Sequence, residues 1–179
     1  MCSVIISCGS QKTITQDNSK NKGEVLFDVP CSGPEYSNSK EFFRANSFGE
    51  STDHLSAKRK ALTSARRELA AKVEVMVNSF NRDFMKDSEM NNISSIEEQY
   101  TSMTTETVKT KLSGINTICE QSAITADGKY KFYVAIELSG QELLGELNER
   151  LSNNDLLKIS YDEEKYKVDF EKAMENYGK

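Results

Sequence analysis

The amino-acid sequence predicts an α+β fold, in which a three-stranded, mainly antiparallel sheet packs on one long amphipathic helix and further helices follow at the C-terminal end. One observation is an alanine or larger apolar residue every three or four positions from about residue 51 to residue 86, the period of a helix with one buried face. A second is the alternation of large apolar side chains along residues 129–138, the period of a half-buried strand. The predicted element order is β-α-β-β-α-α.

The first half of the domain is predicted to be a strand followed by the long helix. Glu41 to Phe48 reads as the strand, and Ser51 is a plausible N-cap for the helix. The helix stripe begins with small residues, which indicates close packing on the sheet; its members are Ala57, Ala61, Ala65, Leu69, Val73, Val77, Phe80 and Phe84. A helix of ~35 residues is about 50 Å long. Three strands cannot cover that length, so the C-terminal helix or a second copy of the chain must cover the rest.

The second half is predicted to contain a hairpin. Residues 87–105 are rich in Ser, Thr and Asn and predict a frayed helix end and a loop, and residues 108–124 and 129–138 predict two strands. The dipeptide Asp127-Gly128 between the strands predicts a two-residue type I′ turn, which requires positive φ at both positions.

The hairpin register makes a prediction about Cys119. A two-residue turn places Cys119 opposite Ile136, so its side chain should point into the core as a free, buried thiol. The alternative is a disulfide with Cys31, which needs Cα atoms within roughly 7 Å of each other. We favour the free thiol, because Cys31 lies in a loop rich in Pro and Gly with no evident tie to this strand.

Two helices are predicted to close the chain. Residues 141–151 form the first, Asn153-Asn154 interrupts it, and an acidic helix runs over residues 162–177. The predicted organisation is therefore an α+β domain over residues 25–152 and an acidic C-terminal helix within residues 153–179. The lowish hydrophobic content of 37% fits one modest core.

The N-terminal end contains the sharpest motif. Ile5-Ile6-Ser7-Cys8-Gly9 matches the end of a bacterial lipoprotein signal peptide, in which the cysteine thiol receives a diacylglycerol. We predict residues 1–8 to be a truncated signal, Cys8 the lipidation site, and the polar residues 9–24 a flexible tether. Only seven residues precede Cys8 and none is basic, so we expect a longer precursor. If the motif is accidental, the chain is a soluble cytosolic domain.

A second set of motifs carries a resemblance to a known family. Val29-Pro30-Cys31-Ser32-Gly33 is followed by Phe43-Arg44-Ala45, by Gly49-Glu50-Ser51, and by the alanine-stepped helix with Glu68-Leu69-Ala70. Over residues 29–138 this resembles the Lpp-twenty family of small bacterial lipoproteins, which is distantly similar to the N-terminal domain of flagellar assembly protein T. The resemblance implies an envelope or outer-membrane lipoprotein facing the periplasm and carries over no catalytic residue. The long acidic C-terminal extension departs from many members.

The sequence contains few candidate residues for catalysis or ligand binding. We predict that the protein is not an enzyme and that it has no cofactor. We expect no metal site, because there is a single histidine, His54, and no nucleic-acid partner, because the net charge is −5. The S-x-x-K match at Ser37 to Lys40 lacks its companion motifs. The expected role is structural or interactive, with a homo-oligomer or an envelope protein as partner. The competing hypothesis is a ligand-binding or enzymatic pocket between helix and sheet.

One basic cluster has three interpretations. It comprises Lys58, Arg59, Lys60, Arg66 and Arg67. A solvated helix face is the default, contact with anionic lipid or peptidoglycan is the functional alternative, and pairing with the acidic C-terminal helix is the third.

Overall fold

The protein is an α+β structure with a three-stranded antiparallel sheet, which confirms the predicted fold class. The computed structural model describes residues 28–87, 94–155, 157–158 and 161–178. Its elements, in chain order, are β1 (Phe42–Ser51), α1 (His54–Asp87), α2 (Ser94–Lys111), β2 (Asn116–Ile124), β3 (Tyr130–Ser139), α3 (Gly140–Ser152) and α4 (Glu163–Tyr177).

The sheet has the order β1-β3-β2, so β3 is central and both neighbours pair with it antiparallel. Alternate residues of β3 are buried on the face toward α1, and they are Phe132, Val134, Ile136 and Leu138. β1 runs through Gly49 to Ser51 rather than stopping at Phe48 as predicted. Gly49 therefore does not end the strand but allows close packing of the helix, because a Cβ at this position would lie 2.3 Å from the Ala57 carbonyl oxygen.

The small-residue stripe of α1 packs directly on the sheet, as predicted. Ala57, Ala61 and Ala65 are completely buried, and α1 has its main contacts with β1 and β3. The helix begins two residues later than predicted, because Asp53 rather than Ser51 is the N-cap. The Asp53 Oδ2 atom accepts a hydrogen bond of 2.7 Å from the Ser56 amide. Hydrogen bonds from the Ser56 side chain and from this amide lower the Asp53 pKa.

Helices cover the half of α1 that extends beyond the sheet. The Phe80 ring lies 4.8 Å from the Tyr166 ring and 5.4 Å from the Phe170 ring of α4. Tyr100 and Val108 of α2 are buried in the same core. The C-terminal helix α4 thus covers part of the stretch of α1 that the three strands cannot reach, and it belongs to the main core.

Helix α2 shows that the prediction for this segment, a frayed helix end and a loop over residues 87–105 and a strand from residue 108, is wrong. Its buried side chains follow helical spacing, but two of the four are threonines: Tyr100, Thr104, Thr107 and Val108. Their hydroxyls are satisfied locally. Thr107 Oγ1 donates to the Met103 carbonyl at 2.8 Å, and Thr104 Oγ1 accepts from Asn81 Nδ2 at 2.9 Å. An apolar pattern that includes threonine is invisible to a search for large hydrophobic residues.

The predicted two-residue hairpin turn is also wrong. The Gly128 amide donates to the Thr125 carbonyl and the Thr125 amide donates to the Lys129 carbonyl, so the loop has three residues. Only Gly128 has a positive φ, +78°, whereas a type I′ turn needs two such residues. A three-residue loop with one left-handed glycine is the next commonest hairpin connection. The longer loop shifts the register by one, and Cys119 lies opposite Ala135 instead of Ile136.

Candidate functional site

The predicted lipidation site, Cys8, and the tether of residues 9–24 lie outside the described residues. The described chain begins at Asp28 and crosses the sheet face that points away from α1. We call residues 28–40 the strap. It includes a short 3₁₀ turn at Pro34–Tyr36 and leads directly into β1.

A disulfide ties the strap to β2. Cys31 and Cys119 are bonded, with Cα atoms 5.6 Å apart, and Cys31 is almost completely buried. The prediction of a free Cys119 thiol in the core is therefore wrong. The shifted register places Cys119 on the face away from α1, where Ala135 and the strap also lie, because a one-residue slip moves each side chain to the other face. A β-bulge between Thr117 and Cys119 further adjusts this strand.

Arg44 holds the strap at a second point. Its Nε donates to Glu137 Oε2 on β3 at 2.9 Å, and its Nη1 donates to the Glu35 and Ser37 carbonyls at 3.2 and 3.4 Å. Both charged side chains are mostly buried, with 20% and 14% of their surfaces exposed. The guanidinium thus links two strap carbonyls to a carboxylate of β3 through charge-assisted hydrogen bonds.

The S-x-x-K sequence has a structural role in the strap. The Asn38 Oδ1 atom accepts from the Arg44 amide at 2.8 Å. The Ser39 hydroxyl accepts from the Phe42 amide at 3.1 Å, and Ser37 supplies its carbonyl to Arg44. Ser37, Asn38 and Ser39 therefore hold the strap against the start of β1.

The strap leaves part of this sheet face exposed. Phe48 is 53% exposed and stacks at a tilt on Tyr133, with ring centroids 6.2 Å apart. The Lys131 ammonium lies over both rings, 4.3 Å from the Phe48 centroid and 5.4 Å from that of Tyr133. This small aromatic patch is partly shielded by its own lysine.

A buried polar cluster lies between α1, α2 and α4. Asn81 bridges Thr104 and Tyr166, with a long hydrogen bond of 3.5 Å from the Tyr166 hydroxyl to Asn81 Oδ1. The Tyr100 hydroxyl is buried beside Tyr166 and has no partner of good hydrogen-bond geometry among the described residues. Burial raises the pKa of both tyrosines. Within the described residues, the buried polar side chains are all uncharged: Asn81, Thr104 and Thr107.

Open grooves lie along the helices, while the interface of α1 with the sheet is filled. A groove of about 510 Å³ runs between α1 and α4 past Val75, Phe80 and Tyr177. A second, of about 400 Å³, runs between α1 and α2 past Asn81 and Arg82. The alanine stripe and Gly49 occupy the place where the competing hypothesis put a pocket.

His54 and the basic cluster lie at the first half of α1. His54 is exposed and makes edge contacts with the Tyr130 and Phe132 rings, centroids 5.5 and 5.7 Å away. Lys58 forms an ion pair of 2.8 Å with Glu120 of β2, and Lys60 donates to the Glu50 carbonyl. These partners belong to the sheet, not to the acidic C-terminal helix.

The described residues contain no cluster of three or more potential metal-ligating His, Cys, Asp or Glu side chains. None of the helices in the described ranges combines the length and hydropathy that a bilayer-spanning segment requires. In comparisons with known proteins, no family model matches the chain, and no curated protein or solved structure is significantly similar to it.

Proposed function

We propose that this chain is a non-enzymatic lipoprotein of the bacterial cell envelope, anchored by a lipid on Cys8, with a structural or interaction role. The observation that carries the proposal is the Cys31–Cys119 disulfide. Disulfides form and persist in oxidising compartments such as the periplasm and are rare in the cytosol. A cross-link inside the folded domain therefore supports a location in the oxidising cell envelope, which the lipobox also predicts from an independent observation.

The position of the disulfide suits an anchored domain. Cys31 lies 23 residues after Cys8, and a fully extended chain of that length spans at most about 80 Å. The strap receives the chain from the tether, and the disulfide and Arg44 fix it to β2 and β3. A pulling force on the tether would then act on the sheet and would not detach the strap from it. The resemblance to the Lpp-twenty family supports the same proposal, with the outer membrane as the expected location.

Lipidation is tested with two matched cysteine variants expressed with the native upstream sequence. Cys8→Ser should abolish both incorporation of labelled palmitate and partition into the membrane fraction. Cys2→Ser is the control and should change neither, because Cys2 lies six residues before the predicted attachment site. Equal partition of Cys8→Ser and the wild type would refute the anchor.

The compartment is tested by trapping thiols in intact cells. After an acid quench, a maleimide polymer should fail to label Cys31 and Cys119 until a reductant is added. A cytosolic location predicts immediate labelling of both residues, because cytosolic thiols are kept reduced. That result would favour the soluble cytosolic alternative.

A further inference from the structure

The basic cluster lies on a stretch of α1 that carries no acidic residue. From His54 to Arg67 the sequence contains five lysines and arginines and neither aspartate nor glutamate. At 1.5 Å per residue this stretch is about 20 Å long. Its buried side is the alanine stripe on the sheet, which leaves the opposite side of the helix facing solvent. The stretch is therefore strongly positive although the net charge of the chain is −5.

The structure divides the basic cluster into two groups. Lys58 and Lys60 bond to groups of the sheet, as described above. Arg59, Arg66 and Arg67 are exposed, and within the described part of the chain they form no ion pair. The three arginines are thus the members of the cluster whose charge remains available to a partner outside the chain.

Two carboxylates flank the stretch, and both are engaged elsewhere. Asp53 caps the helix through the Ser56 amide, and its Coulomb interaction with Arg59 affects its pKa less than its hydrogen bonds do. Glu68 pairs with Lys72, one turn further along the helix, at 2.9 Å. The chain's own nearest carboxylates therefore do not neutralise the three arginines.

Leu55 adds apolar surface to the same side of the helix. Its side chain is 52% exposed, and Arg59, Leu62 and Arg66 follow it at intervals of four, three and four residues, which places all four along one side. Arginine can bury its apolar stem while its charged head stays in a polar layer. Exposed leucine beside such arginines is the composition of a helix that lies in a membrane interface. A soluble anion would gain little from the leucine.

We propose that Leu55, Arg59, Arg66 and Arg67, which we call the basic face, bind the surface of a bilayer that contains anionic phospholipids. A guanidinium group donates two parallel hydrogen bonds to phosphate oxygens, and it is more weakly hydrated than an ammonium group. Both properties suit contact with phosphate headgroups. The outer side of a single helix is also convex, and it fits an extended surface better than it encloses a small ligand.

The position of the basic face is compatible with an anchor at Cys8, although the inference does not depend on one. The described chain begins at Asp28, on the side of the sheet opposite to α1, and 20 residues separate it from Cys8. A chain of 20 residues spans at most about 70 Å, whereas a helix packed on a sheet with the strap is ~25 Å thick. An anchored domain could therefore turn its basic face to the membrane, where tethering makes a weak affinity sufficient.

Binding is measured by cosedimentation with vesicles of roughly one-third phosphatidylglycerol in phosphatidylcholine. The full chain is used with Cys2→Ser and Cys8→Ser, so that no lipid is attached. Half of the protein should bind at on the order of 1 mM lipid in low salt. Binding should disappear with vesicles of pure phosphatidylcholine, and also at about 0.5 M salt, because the attraction is electrostatic and is screened.

Two triple variants with the same change in net charge locate the contact. Arg59→Gln/Arg66→Gln/Arg67→Gln should weaken binding by on the order of 100-fold, because each cation near an anionic surface contributes about five-fold. The control removes three exposed cations elsewhere on the helices: Arg82→Gln, Lys109→Gln and Lys167→Gln. The control should bind within about two-fold of the unsubstituted chain, since only nearby charges escape screening. Thermal melts confirm that both variants fold.

A single tryptophan tests which side of the protein meets the bilayer. The chain contains no tryptophan, so Leu55→Trp supplies a unique fluorophore on the basic face. Its emission should shift to shorter wavelength when the anionic vesicles are added. Val168→Trp, at a residue of α4 that is 40% exposed, is the control and should show no shift.

Three outcomes would overturn the proposal. The first is the absence of binding to the anionic vesicles, and since the chain tested carries no lipid, this result leaves the anchor at Cys8 untouched. The second is an equal loss of binding in the two triple variants, because net charge and not the basic face would then be responsible. The third is binding to purified peptidoglycan sacculi without binding to vesicles, which would assign the arginines to a different anionic polymer.

Discussion

Removal of the disulfide should remove a large fraction of the domain's free energy of unfolding. The Cys31→Ala/Cys119→Ala double variant opens a loop with a sequence separation of 88 residues. In the chain-entropy model, a closed loop of that length stabilises the folded state by about 4.5 kcal/mol, because it restricts the unfolded chain. A typical small domain has a total free energy of unfolding of ~5–15 kcal/mol. The cross-link is therefore a large fraction of the whole.

Urea denaturation measures this effect. With a slope of about 2 kcal/mol per molar urea, the midpoint of the double variant should fall by about 2 M. The matched control, Cys2→Ala/Cys8→Ala, removes the two cysteines that precede the described residues and should leave the midpoint unchanged. Reduced wild-type protein should unfold at nearly the same urea concentration as the double variant.

Local exchange separates the global effect from a local one. Arg44 and Asn38 still hold the strap in the double variant, so protection of the Ser37 and Ser39 amides should decrease without vanishing. A midpoint shift below about 0.5 M urea would refute the reasoning, because it would mean that the cross-link does not restrict the unfolded chain as the loop length requires.

Two further predictions concern packing and pH. Gly49→Ala should lower the free energy of unfolding by about 1–3 kcal/mol or more, because the new Cβ meets the backbone of Ala57. The control, Gly145→Ala on the open side of α3, should raise it by about 0.5–1 kcal/mol. If thermal melts show that Gly49→Ala is as stable as the wild type, the packing described for Gly49 is contradicted. Hydrogen bonds from Lys129 and Thr125 lower the pKa of Asp127 to about 2, so its contribution to stability is complete above pH 4 and is lost as the pH falls toward 2. Asp127→Asn should therefore flatten the stability profile between pH 4 and pH 2, and an unchanged profile would contradict the assigned hydrogen bonds.

Local pattern was sufficient where one face of an element is uniformly apolar. The alanine stripe of α1 and the alternation of β3 predicted both elements and their buried faces, because helix and strand periods appear directly in the sequence. The starts of the last two helices also have a local physical cause. Ser139 and Asp162 each accept an amide of the first turn, and α3 and α4 begin directly after them.

The prediction failed where stability comes from partners distant in the sequence. α2 buries threonines that become acceptable only because Asn81 of α1 and the helix's own carbonyls bond them. No local pattern indicates such a partner, so the segment reads as a polar loop.

The sequence by itself determined the fold class, the long helix with its sheet-facing alanines, and the lipobox that predicts an anchor at Cys8. Whether Cys31 and Cys119 form a disulfide was decided by the tertiary structure alone. One extra loop residue in the hairpin moved Cys119 to the opposite face, and the strap, held by Arg44, carried Cys31 to within 5.6 Å of it. Hairpin loops of two and three residues differ little in local energy. The loop length nevertheless sets the register of the strands, and a shift of one residue moves every side chain of a strand to the other face of the sheet.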